Sequence, residues 1–393
     1  MDAPQEPNPF ATPLGDIWAE VPLFREIQRV LLSSTGPVNW ELARQVGIAS
    51  ASWGHEDPAP SDHDRRGFEE AVRVAELQVA TFTGLEAPGD VAHVEAVRRA
   101  QWVQANIEGL RSILEPAATK IAAAVEKTQQ EAAPAEAAGF AQQMIGQLSP
   151  LLLGAQVGSV LGYLGQHVLG QYDIAIPRPG PGSLLFVVPN IAAFEKDWSL
   201  EPTEFRTWVA VHEVIHRFEF AMPWTLEHFR GLLGDFLSTV EIDLAALQAR
   251  LESLDVSDPD AVRTVFESDE GLFGAALDDE QRIKLGRIQA FMAAAEGYGD
   301  HVSHAIGRTL FATYGRIEEA MRRYREGEQT DPVFERLLGI EMKREQYRLG
   351  RAFCDAVVAA TNEGMLARMW ESAEALPSLP EIAEPRLWLA RIV

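Results

Sequence analysis

The stretch AVHEVIHRFEF, Ala210 to Phe220, holds two histidines four positions apart with a glutamate directly after the first. On an α-helix, residues four apart lie on one face, one turn from each other, so His212 and His216 can present ring nitrogens to a single ion. Glu213 then points toward the open side of that ion. There a carboxylate can take a proton from activated water and return it to a leaving amine. The pattern is H-E-x-x-H.

The residues upstream suit a helix that turns this face inward. Pro202 fits a first helical position, and Phe205, Trp208 and Val209 begin an apolar stripe that His212, Ile215 and His216 continue. Two imidazoles and a carboxylate held in an apolar interior demand a strong partner, because unpaired polar groups are costly to bury.

A catalytic zinc usually takes three protein ligands. The longer pattern H-E-x-x-H-x-x-G-x-x-H fails, since Glu219 stands at its glycine and Met222 at its last histidine. The third ligand is therefore sought farther along, in QAFMAAAEGYGDHVSHAIG. Ile288, Phe291, Met292 and Ala295 set the apolar face of a helix there, which an Asp278 to Gln281 capping pattern could start, and Glu296 follows on that face. Glu296 is the leading candidate, with Asp300, His301 and His304 as alternatives. Asp300, one turn after Glu296, can accept the second ring N–H of a ligating histidine and fix its tautomer. Tyr298, His301, His304 and Tyr347 are candidate donors to the oxygen that gains charge during amide hydrolysis.

The bulk numbers agree with a folded protein. Hydrophobic residues make up 47% and charged residues 23% of 393, which excludes a disordered chain. A formal charge of −24 argues against a phosphate-tracking surface, so no nucleic-acid partner is expected. The lone cysteine, Cys354, lies in an apolar helical pattern and reads as packing. With no disulfide pair and no basic or apolar leader at the N-terminus, the expected location is the cytoplasm.

Most of the chain shows helical periodicity, including VNWELARQVG, the stretch Arg65–Phe82 and the stretch Val91–Leu114. Gly154, Gly158 and Gly162 recur every fourth residue in an apolar run, a spacing that lets two helices approach closely, in water or in lipid. Pro150, Gln156, Ser159, Gln166 and His167 interrupt that run, so a buried core helix is expected and no membrane span. Glu126–Gly139 reads as a connector or frayed helix end. SLLFVVPNI, after a Pro/Gly-rich break, is the best strand candidate. The fold class predicted is mainly α with a small β element. An irregular tail over 1–35 precedes a helical unit over 36–170 and a metal-binding, mainly helical unit over 171–393.

VNWELA, VGSVLGYLGQHVLGQYD, LLFVVPNIAAFE, HEVIHRFEFAMPW and AEGYGDHV, and less closely LLGIEMKREQYRLGRAF, occur in an order that resembles the zincin-like metallopeptidase type 2 family. The resemblance covers most of the chain from about Asn39. It implies a zinc-dependent hydrolase of peptide or small amide substrates, with a β-strand ahead of the metal helix whose edge pairs with substrate. In the glutamate-zincin class the third ligand is a glutamate on a later helix, with an aspartate one turn on. Glu296 and Asp300 match those roles, although Glu296 stands 80 positions after His216. Some family members carry a label linking them to coenzyme F420 biosynthesis. The alternative expectation is a binding or scaffold protein that keeps a metal site, or holds a deazaflavin, without hydrolysing anything.

Overall fold

The computed structural model describes residues 36–131, 136–172, 183–239, 279–326 and 340–392. It is mainly helical, with one two-stranded parallel sheet. The expected tail over 1–35 and Asp278, the first residue of the expected capping pattern, lie outside the described residues.

Helix α1 (Trp40–Ala51) is capped by Asn39, whose Oδ1 accepts the Leu42 N–H at 2.8 Å. Helix α2 (Asp62–Thr83) opens with a Ser61/Asp64 capping box, and strand β1 spans Val94–Val97. Two long helices follow, α3 (Arg99–Glu131) and α4 (Glu136–His167), and they shorten the expected connector Glu126–Gly139: residues 126–131 continue α3 and residues 136–139 begin α4. The glycine run in α4 packs on α1. A Cβ on Gly158 would stand 2.5 Å from the Ala43 carbonyl oxygen, and one on Gly154 or Gly162 would collide with Asn39 or Ser50. The small residues thus serve a close helix crossing. Among the described residues no helix is long and apolar enough to cross a membrane.

Strand β2 (Leu184–Val187) runs parallel to β1, pairing Val94 with Leu184 and Val97 with Val187. Its side chains alternate between two cores, as a period of two requires. Leu184 and Phe186 enter the larger cluster, while Leu185 and Val187 join Val97, Trp102 and Leu161 in a smaller one. The periodicity over Val91–Leu114 predicts one helix, and the structure corrects this: its start is β1, and α3 begins only at Arg99. V-E-A-V supports either form locally, and the ladder that β2 offers decides for the strand.

The strand expected over SLLFVVPNI stops at Val187, because Pro189 has no N–H for a ladder and suits a first helical turn, so Val188 begins α5 (Val188–Asp197). Helix α6 (Pro202–Ala221) carries the H-E-x-x-H motif. Pro202 opens it, Glu201 caps it by accepting the Glu204 N–H at 2.7 Å, and it ends at Met222, ahead of Pro223. Every residue from Trp208 to Glu219 is buried, so α6 is a core helix enclosed on all sides. It packs against α2, α7 (Thr225–Ser238) and α8 (Asp279–Leu310). Behind α8 lies α10 (Ile340–Ala360), which follows α9 (Tyr314–Glu326). A Cβ on Gly297 would collide with Gly350 of α10, so this close crossing fixes α8 at the residue next to Glu296. Short helices α11 (Glu363–Ala367), α12 (Leu379–Ala383) and α13 (Pro385–Ile392) complete the described chain.

Candidate metal centre

The imidazoles of α6 are oriented by an aromatic column along one helix face. Phe205 stacks on Trp208, and Trp208 stacks on His212 at 5.9 Å between ring centres, with the two ring planes nearly parallel at 11°. The His216 ring then stands perpendicular to that of His212, at 87° and 4.7 Å. This arrangement turns the two Nε2 atoms toward each other, 3.3 Å apart. Glu296, brought in by α8, places Oε2 3.8 Å from the His216 Nε2. Ligand atoms of His212, His216 and Glu296 all lie within 4.8 Å of one another, and all three residues are buried.

The donor set fits a metal ion. Tetrahedral zinc with Zn–N bonds of about 2.0–2.1 Å needs its nitrogens about 3.3 Å apart, the spacing found between His212 and His216. Two imidazoles and one carboxylate form the ligand set of an open, catalytic type of site. Charge points the same way. Glu213, Glu219 and Glu296 are each no more than 1% exposed, and carboxylates kept ionised in such an interior need a compensating cation.

Glu219 is the functional candidate that the sequence reading passes over. Its Oε2 lies 2.7 Å from His216 Nδ1, and both side chains are buried. Burial alone would lower the His216 pKa, but the contact with Glu219 and the nearby Glu296 and Glu213 outweigh it and raise the pKa to about 9. Burial raises the Glu219 pKa to about 7, against the opposing pull of His216. The signal was present in the sequence as a glutamate three residues after a histidine, one helical turn on.

Other candidates are placed differently. Asp300 is buried beside the cluster on α8 and makes an ion pair with Arg351 of α10 at 3.0 Å. His301 lies between Asp355 (2.7 Å) and Glu363 (3.2 Å). His304 meets the Tyr314 hydroxyl and Glu318, both at 3.0 Å. Tyr298 is buried edge-on against Trp370, and burial pushes its hydroxyl pKa well up. The Tyr347 side chain lies outside the described residues. Glu213 is buried, and its Oε2 accepts the Tyr172 backbone N–H at 2.7 Å.

The zincin-like metallopeptidase family model matches residues 38–389, nearly the whole chain. The chain belongs to the zincin-like metallopeptidase family. A crystal structure from Chloroflexus aurantiacus, provisionally described as a hydrolase with a novel fold, is 32% identical. That match covers 90% of this chain and 98% of the other, with a TM-score of 0.66. No curated protein matches. Membership of the zincin-like family, with the His212, His216 and Glu296 cluster, implies a bound metal ion and a hydrolase.

Proposed function

We propose that this chain is a zinc-dependent hydrolase of peptide or related amide bonds, of the glutamate-zincin type. The observation that carries the reading is the buried cluster of His212, His216 and Glu296, with Glu213 on the same helix. His212, His216 and Glu296 would hold the ion. When bound, zinc would supply a Lewis acid that acidifies water and polarises a carbonyl.

The remaining chemistry belongs to the chain's own residues. Glu213 takes a proton from water as the water oxygen bonds to the carbonyl carbon, and returns a proton to the amide nitrogen as the C–N bond breaks. Glu219 fixes the His216 ring through Nδ1, which leaves Nε2 for the ion. Asp300, which the sequence reading assigns to a ligating histidine, is engaged by Arg351 at 3.0 Å, so the support of a ring nitrogen in this centre comes from Glu219.

A second reading, a protein that holds metal for binding or scaffolding, has one observation on its side: the engagement of Glu213 by the Tyr172 N–H. The deciding experiment compares zinc content and amide hydrolysis in the wild type, His212→Ala and Glu213→Gln. The hydrolase reading expects one zinc per chain, loss of zinc in His212→Ala, and retained zinc without hydrolysis in Glu213→Gln. Equal hydrolysis in Glu213→Gln would reject Glu213 as the base.

A further inference from the structure

Strand β2 is enclosed on both edges. β1 takes one, and the chain's own residues Leu169 and Gly170 take the other, with Gly170 bridged antiparallel to Phe186 and the Val187 N–H donating to the Leu169 carbonyl at 2.9 Å. Two residues on, Tyr172 donates its N–H to Glu213. Gly170 lies so close to the Glu213 carboxyl group that any Cβ there would collide with it. The Tyr172 ring covers His216 at 5.9 Å and stacks on Phe220 at 5.5 Å.

This short segment is built in. Trp102 Nε1 of α3 donates to the Gly170 carbonyl at 3.2 Å, and Gln171 Nε2 donates to Asn106 Oδ1 at 2.8 Å. Leu169 and Gln171 are buried. A backbone that bridges antiparallel to a strand at Gly170, and two residues on offers its amide to a carboxylate beside a metal cluster, fills the place that a strand-pairing peptide would take.

We propose that Leu169–Tyr172 occupies the groove in which an extended peptide substrate lies, antiparallel to β2, and that the enzyme is latent until this strap is displaced. The proposal rests on the hydrolase reading above. It accounts for a general base engaged by backbone, and it names the substrate class: an unfolded or flexible peptide segment able to replace the strap's bridge to Phe186. Folded protein surfaces and small amides without an extended backbone would compete poorly.

The test uses zinc-loaded full-length protein and a peptidyl hydroxamate, a probe that joins an extended backbone to a metal-chelating group. In the wild type, hydroxamate binding should accelerate hydrogen exchange at the amides of residues 169–172, because the probe must expel them. Gly170→Ala and Gln171→Ala should bind the probe about tenfold or more tightly than the wild type, since a site open for only a fraction of the time binds more weakly by that fraction. Both variants should also lose zinc to a chelator faster. If the wild type takes up zinc and binds the probe while residues 169–172 keep their protection, the strap is not in the groove, and the hydrolase reading stands without it. If zinc does not bind to the wild type at all, the hydrolase reading and the strap fail together.

Discussion

Glu219 Oε2 and His216 Nδ1 are 2.7 Å apart in the buried interior of α6, one helical turn from each other. A ligating imidazole needs its second nitrogen held, because the partner there sets the tautomer and the ring orientation. Glu219→Gln keeps the volume but loses the charge. Metal affinity should fall about 10- to 100-fold with little change in secondary structure, measured by competition with a chromogenic chelator and by circular dichroism. Unchanged affinity would remove Glu219 from the site.

Metal uptake should be proton-linked. With its pKa raised to about 9, His216 is protonated in the metal-free protein at neutral pH, and an ion must displace that proton. Apparent affinity therefore rises with pH up to about 9 and falls about tenfold per unit below it. Calorimetric titration at pH 6 and pH 8, in buffers of different ionisation enthalpy, measures the proton released. Equal affinity at the two values contradicts the assignment.

Bound metal should also stabilise the fold, since the cluster joins α6 to α8. At a free zinc concentration about 100 times the Kd, the expected gain is about 2.7 kcal/mol. Thermal melts should show a zinc-dependent rise in Tm for the wild type and none for His216→Ala.

Gly158→Val tests the helix crossing remote from the centre. The added carbons meet the Ala43 carbonyl and Val46, and overpacking of this kind costs about 1–3 kcal/mol. The Tm should fall while zinc stoichiometry stays at that of the wild type. An unchanged Tm would mean that α1 and α4 are not tightly packed there.

Replacing the proposed base should leave the site filled and silent. Glu213→Gln is expected to lower kcat about 10²- to 10⁴-fold, the range for loss of a general base, with zinc content unchanged. Quenched fluorescent peptides and elemental analysis of the same preparation provide the two readings.

Helical geometry made part of this protein legible from sequence alone. His212 and His216 share a face because 3.6 residues make a turn, Pro202 opens their helix because it lacks the N–H that a first turn leaves unused, and the start of β2 declares itself by an apolar run after a Pro/Gly break, although the second half of that run is helix. The arrival of Glu296 could be expected only from an apolar face 80 positions away. What brings it within reach is the packing of α8 between α6 and α10, closed by Gly297 against Gly350. Strand β1 was illegible because V-E-A-V becomes a strand only when β2 supplies its hydrogen bonds. The closure of β2 by Gly170, and of Glu213 by Tyr172, likewise depends on contacts between segments far apart in the chain. Periodicity reports which face of an element is apolar, whereas the partner that covers that face is chosen only when the whole chain condenses around it.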